Sequence, residues 1–275
     1  LLEIRIDKLS RSGYVSQAAM LSELVPKHAV SGRFDKLYIE SKLLEGDNLS
    51  ACDRVERMFD EGNSSSFLLK HFSLCKIFSG DVSSSRLVID LLHELDPMDK
   101  NFFSLVSVLI DGENVDVSGF DSLSPIHLAM IKAAKLKIPD GMTTDVSPTV
   151  LMSMAVSPNT SLTTRISAAE RAVNLGILGS EQLSSIYSNI VFTEDRVNVV
   201  FDGNKLEELD SKALLFQIAK TQVVPEAKAE VLYKASLIAH EEGMHITNYL
   251  VNKESYSVIK PNNSLIWFAG DAMSA

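Results

Sequence analysis

Three glycines set the rhythm of this chain. Gly13, Gly46 and Gly80 stand 33 and 34 residues apart, within "SRSGYVSQAAMLSELV", "LLEGDNLSACDRVERM" and "IFSGDVSSSRLVIDLL". Five residues after each glycine comes a small residue, Ala18, Ala51 or Ser85, and twelve after comes Val25, Met58 or Leu92. Glycine takes positive φ at little steric cost, so each one permits a tight turn between two helices. The small residue lets the second helix lie close on its neighbour. A helical hairpin of this length cannot bury its apolar stripe alone, so copies must stack. The pattern predicts an all-α fold.

The Gly-Asp turns at Gly46-Asp47 and Gly80-Asp81, the small residue five later, and the closing Asp96-Pro97 resemble the tetratricopeptide repeat over residues 1–100. Tyr14 stands in place of Asp in the first turn, and Ile39 and Ser73 replace an earlier helix glycine of that family. The resemblance implies a right-handed α-solenoid of helix-turn-helix units. Units like these are expected over 1–100, and less regular hairpins over 101–275, in one continuous superhelix. In that family the first helix of each unit lines a concave groove. Lys36 and Lys70 fall ten residues before their turn glycines, flanked by Arg33 and His71, with Glu40 one turn on. These five form the candidate groove for a carboxylate or acidic peptide. Where that family's carboxylate clamp has Asn, this chain has Glu40 and Leu74, and Glu3 is the first unit's match to Lys36 and Lys70, so the clamp is incomplete.

The only cysteines, Cys52 and Cys75, lie symmetrically about the polar run Glu61-Gly62-Asn63-Ser64-Ser65-Ser66. Antiparallel helices joined by a short turn place equidistant residues at one height, since each residue rises about 1.5 Å. Close packing at Ala51 brings the Cα atoms within disulfide range. Two buried free thiols are the plainer reading. Equal spacing and the lack of any other Cys favour the bridge, which implies an oxidising compartment.

Composition excludes more than it specifies. Hydrophobic residues make up 45% and charged residues 23% of the 275, an ordinary balance for a folded chain. The net charge of −10 argues against nucleic acid as a partner, because phosphate attraction needs a basic field. No apolar run approaches the ~18 residues of a membrane span, so no insertion is expected. The chain begins Leu1-Leu2-Glu3, without Met, and stops in "LIWFAGDAMSA", which reads as the opening of another helix; both ends are expected to be cut.

Beyond Pro97 the period fades while helical punctuation continues. "DPMDKNFFSLVSVLIDG" reads as a helix opened by Asp96-Pro97, residues 111–124 as a polar loop, and Ser124 to Lys137 as a short helix. Residues 147–187 hold three helices, with Ser180 as a cap. Pro225 opens and Gly243 closes a further one, striped by Ala227, Val231, Leu232, Ala235, Ile238 and Ala239. Only "RVNVVFDG", 196–203, hints at a strand; with Thr193 as a cap it reads as well as a short helix, and no further strand exists to pair with it. His127-Leu128-Ala129 and Ala168-Ala169-Glu170-Arg171-Ala172 are also similar to helical-repeat proteins of alphaproteobacteria, which implies export to the periplasm.

No arrangement of residues signals chemistry. In "HEEGMH" the histidines are five apart, with Gly243 between them, where a zinc pair needs four on one helical face. "NVDVSGF" mimics a calcium loop but has Pro125 where the bidentate Glu belongs. His28, His71, His93 and His127 are isolated from one another and form no acid-paired motif, and Glu207-Glu208 and Glu241-Glu242 read as solvated faces. The expectation is therefore a non-catalytic interaction scaffold in the bacterial periplasm. It needs no cofactor or metal, offers a groove to a protein or peptide, and is open to self-association. The rival readings are the superhelical part of a cell-wall lytic enzyme with its catalytic domain elsewhere, and a self-assembling structural protein.

Overall fold

Gly13, Gly46 and Gly80 adopt φ values of 86°, 83° and 79°. They do so in a computed structural model that describes residues 2–25, 32–120, 122–138, 140–141, 146–192 and 211–259. Gly13 joins α1 (Leu2–Arg11) to α2 (Val15–Glu23), and Gly46 joins α3 (Gly32–Glu45) to α4 (Asn48–Asp60). Gly80 joins α5 (Ser66–Phe78) to α6 (Val82–Leu95). All three turns close alike. Gly46 N–H donates to Leu43 O at 3.1 Å and Asp47 N–H to Lys42 O at 2.9 Å, with the same pair of bonds at Gly13 and Gly80. Two carbonyls otherwise orphaned at each helix end are thereby satisfied.

Asp47 and Asp81 then start the second helices. Their carboxylates accept Ser50 N–H at 3.2 Å and Ser84 N–H at 3.1 Å, and these bonds hold both carboxyls below the ordinary range. Tyr14 opens α2 without a side-chain cap. Ala18, Ala51 and Ser85 are each 0% exposed, and Val25, Met58 and Leu92 are buried beneath them. The periodic positions are thus the packing positions.

The joint between α4 and α5 is fastened three ways. Cys52 and Cys75 form a disulfide with Cα atoms 5.5 Å apart. Lys76 bonds Glu56 at 2.9 Å, and the rings of Phe59 and Phe72 stack at 4.2 Å. The even spacing of the two thiols about the turn is what lets them meet.

Past Leu95 the structure departs from the sequence reading in detail. Helix α7 (Lys100–Asp111) is capped by Asp99, whose carboxylate accepts Phe102 N–H at 3.1 Å; Asp96-Pro97 lies upstream, with Pro97 in the turn. The loop that follows contains a single 3-10 turn at Val117–Gly119, where Asp116 accepts Ser118 N–H at 2.9 Å. Helix α8 (Pro125–Ala133) stops four residues short of Lys137. Its end repeats the glycine-type closure without a glycine: Lys135 takes φ of 55°, and Leu136 N–H donates to Ile131 O at 3.0 Å. A left-handed lysine costs about 1 kcal/mol, and no residue type announces it.

Then come α9 (Pro148–Val156), α10 (Leu162–Asn174) and α11 (Ser180–Ser188), in which Gly179 takes the N-cap place and Ser180 is the first helical residue. They are followed by α12 (Ser211–Thr221), α13 (Pro225–Glu241) and α14 (His245–Ser257). Among the described residues the fold is all-α, with fourteen α-helices. "RVNVVFDG", Glu207-Glu208 and His28 lie outside the described residues.

The chain divides into two compact units, Leu1–Ser153 with Ser157–Ser161, and Met154–Val156 with Leu162–Ala275. Helices α7 and α8 therefore belong with the hairpins that precede residue 100. In the first unit Ile6, Ala18, Val25, Phe34 and Leu37 form one core cluster. In the second, Leu214, Leu215 and Ala219 of α12 pack against Val231, Leu232, Ala235 and Ile238 of α13. Among the described residues no helix is long and apolar enough to cross a membrane.

Candidate functional site

Helix α8 decides what becomes of the expected groove. Ile126, His127, Leu128, Ala129, Met130 and Ile131 are all buried in succession, so this helix is surrounded rather than striped. It packs on α7 and on α3, one of the two helices that carry the candidate groove residues. At the turn between α3 and α4 the fit is close: a Cβ on Gly46 would meet Lys132 Nζ at 2.8 Å. Contact between α3 and α8 is also more than a strictly nearest-neighbour stack of hairpins would make.

The candidate residues are placed accordingly. Lys70, on α5, is bound by Asp96 at 2.8 Å and Asp99 at 2.7 Å, and its side chain is 12% exposed. Burial works against its charge, but the two carboxylates prevail and raise its pKa. Lys70 is therefore taken up inside the fold rather than held open to a ligand. His71 is buried, and its Nδ1–H donates to Phe67 O at 2.7 Å, which leaves Nε2 unprotonated and without a partner. Burial, then the charges of Lys36 and Lys70, push its pKa down to about 4. Lys36 is exposed, its ammonium 4.8 Å from the centre of the Phe67 ring. With Glu40 it lines a cavity of about 300 Å³ between α1 and α3, floored by Ile6, Phe34 and Leu37. Burial raises the Glu40 carboxyl, and Lys36 offsets part of that rise. Arg33 lies in α3.

Asp99 links three elements. Besides Lys70 and Phe102 N–H, it accepts from His127 Nε2 at 3.0 Å, while His127 Nδ1 accepts Ser124 N–H at 3.2 Å. The backbone donor fixes the tautomer, so Nε2 carries the proton. Burial would raise the Asp99 carboxyl, but the bonds from His127 and Lys70 overcome it and hold it well below the usual carboxylate range. This Asp-His pair is a clamp on α8: His127 is 4% exposed, and its free nitrogen faces a backbone amide rather than a nucleophile.

A second polar cluster sits in the other unit. Glu170 is 3% exposed, accepts the Tyr187 hydroxyl, and bonds Lys212 at 2.6 Å; Lys212 also reaches Glu242. Burial raises the Glu170 carboxyl, and Lys212 and Tyr187 offset only part of this. The two carboxylates lift Lys212 despite its burial, and burial together with Glu170 pushes Tyr187 well up. A buried carboxylate, ammonium and phenol with shifted titration have the marks of a catalytic site. The adjoining cavity, however, holds about 20 Å³, room for a single water, where substrate pockets run to hundreds. The cluster ties α10, α11 and α12 to the end of α13. One signal for it stood in the sequence: Glu170 lies among Ala168, Ala169 and Ala172, all 0% exposed.

The most spacious opening among those described lies elsewhere. A groove of about 560 Å³ runs between α6 and α7, with Ile89, Phe103, Val106 and Ile110 along it. His93 stacks on Phe103 with centroids 3.9 Å apart, and Arg86 pairs with Asp111 at 2.5 Å. His240 and His245 of "HEEGMH" have ring centroids 5.1 Å apart across the Gly243 turn. Among the described residues no group of three or more His, Cys, Asp or Glu is placed to hold a metal ion. No family model, curated protein or solved structure matches this chain.

Proposed function

We propose that this chain is a non-catalytic interaction scaffold, and that its partner surface is the groove between α6 and α7. The observation that carries this is how the polar groups are used. Lys70, Asp99, His127, Glu170 and Lys212 all hold helices together, and the roomy opening is a groove lined by charged and apolar side chains together rather than a pocket with a free nucleophile. In this reading the hairpins α1–α6 are tetratricopeptide-like units of a right-handed solenoid, and α8 lies where such a solenoid receives a ligand. The identical glycine closures and buried small residues support that reading. The Cys52–Cys75 disulfide supports an oxidising compartment, the bacterial periplasm.

The test is affinity capture with crosslinking from the native envelope, using the full chain. Ser104 lines the groove, and Ser104→Trp fills it. The partner is expected to be lost with Ser104→Trp and retained with Lys36→Glu. Recovery unaffected by Ser104→Trp, in a variant that melts like the parent, removes the groove from consideration. For the compartment, alkylation of freshly isolated protein followed by non-reducing mass spectrometry is expected to find neither cysteine modified; two modified cysteines count against export.

A further inference from the structure

The α6/α7 groove has a chemical character of its own. Three carboxylates, Asp90, Asp111 and Glu113, face one guanidinium, Arg86. Arg86 is held by Asp111 at 2.5 Å, so Asp90 and Glu113 stand exposed at the rim with no ion-pair partner among the described residues. Between them lie apolar side chains and the flat stacked pair of His93 and Phe103.

Taking the groove as the partner surface, we propose that it binds a partner segment carrying one or two arginines or lysines among apolar residues. Each part of the groove answers one part of such a segment. Phe103, Ile110 and Val115, the half-buried apolar residues of the lining, meet apolar side chains, which gain from leaving water. Asp90 and Glu113 face cations at the rim, where complementarity sets selectivity and rate more than bulk affinity. The His93–Phe103 pair offers a planar face on which a guanidinium stacks. An acidic segment would meet two uncompensated carboxylates. A second copy of this chain, at a net charge of −10, is a poor match for the same reason.

The experiment is fluorescence anisotropy of the full chain with three labelled octapeptides, leucine/arginine, leucine/serine and leucine/glutamate. The leucine/arginine peptide is expected to bind at least tenfold tighter than the leucine/glutamate peptide at low salt, and to weaken as salt is raised. Asp90→Asn/Glu113→Gln, two exposed changes, is expected to remove most of that preference. Asp60→Asn/Glu61→Gln, also exposed but far along the chain, is expected to leave it intact. If the three peptides bind alike and Ser104→Trp abolishes all of them, the groove stands as a partner site and the basic preference is wrong. If binding ignores Ser104→Trp altogether, the groove reading itself fails. If the control pair lowers affinity as much as the rim pair, the attraction belongs to the whole acidic chain and the proposal is overturned.

Discussion

Each of the two units is pinned by a lysine gripped by two carboxylates, yet the two grips differ in depth. In the first unit Lys70 meets Asp96 and Asp99, and Asp99 gains further donors from His127 and the Phe102 backbone. Its side chain is 22% exposed, and the net effect is a strongly acidic carboxyl. In the second, Lys212 must serve both Glu170 and Glu242, and the Glu170 side chain is 4% exposed. Burial wins there, and the carboxyl is raised. The same residue types thus give opposite responses to acid, decided by how many donors reach the carboxylate and how much water does.

The largest expected effect separates the two grips. Lys212→Met leaves the buried Glu170 carboxylate without its cation, beside the exposed Glu242, and is expected to cost about 3–5 kcal/mol at neutral pH. Hydrogen exchange read by mass spectrometry, which resolves the units by peptide, locates the loss. Next is the disulfide. Reducing Cys52–Cys75, which spans 23 residues, is expected to cost about 3 kcal/mol in the first unit and nothing in the second. Loss of protection spread equally over both units would erase the distinction.

Mild acid should pull the units in opposite directions. The pKa of His71 is lowered in the fold, from 6.5 to about 4, so its contribution is present above 6.5 and is lost as pH falls toward 4, by up to about 3 kcal/mol. Glu170 is raised above its ordinary 4.5, so its contribution is greatest below 4.5 and is lost as pH rises through its folded value. Asp99 acts only lower, because a carboxyl held below 3.8 gives up its contribution as pH falls beneath that value. Acidifying from pH 7 to 5 is therefore expected to weaken α5 and its neighbours, while the contacts of α10 gain once pH falls through the folded value of Glu170. His71→Leu is expected to abolish the first change only. A smaller effect is expected of Lys70→Met, about 1–2 kcal/mol, since Asp99 keeps two donors and partial hydration.

The hairpins were legible because their signals are local. A glycine at each turn, a small residue one turn later and two thiols equidistant from a bend all follow from short-range geometry. They reappear as identical closures, 0% exposed side chains and a bridge. The candidate groove was less legible, because register along one helix says nothing about what covers it. The six consecutive buried residues of α8 give no stripe to indicate which neighbours it packs against. Asp99 and His127 lie 28 residues apart, a separation that carries no pattern. Asp96 and Asp99 are equally good cap residues by type; only the turn at Pro97 places Asp99, not Asp96, over the first amides of α7.

Native-state hydrogen exchange of the α8 amides tests most directly whether this buried helix closes the face once expected to be open. If α8 is an integral part of the first unit, its amides exchange only when α3, α5 and α7 unfold with it, and their free energies of exchange coincide. Exchange of α8 through a local opening that leaves α3, α5 and α7 protected would show a detachable helix over an available groove, and would return Lys70 and His71 to consideration as binding residues.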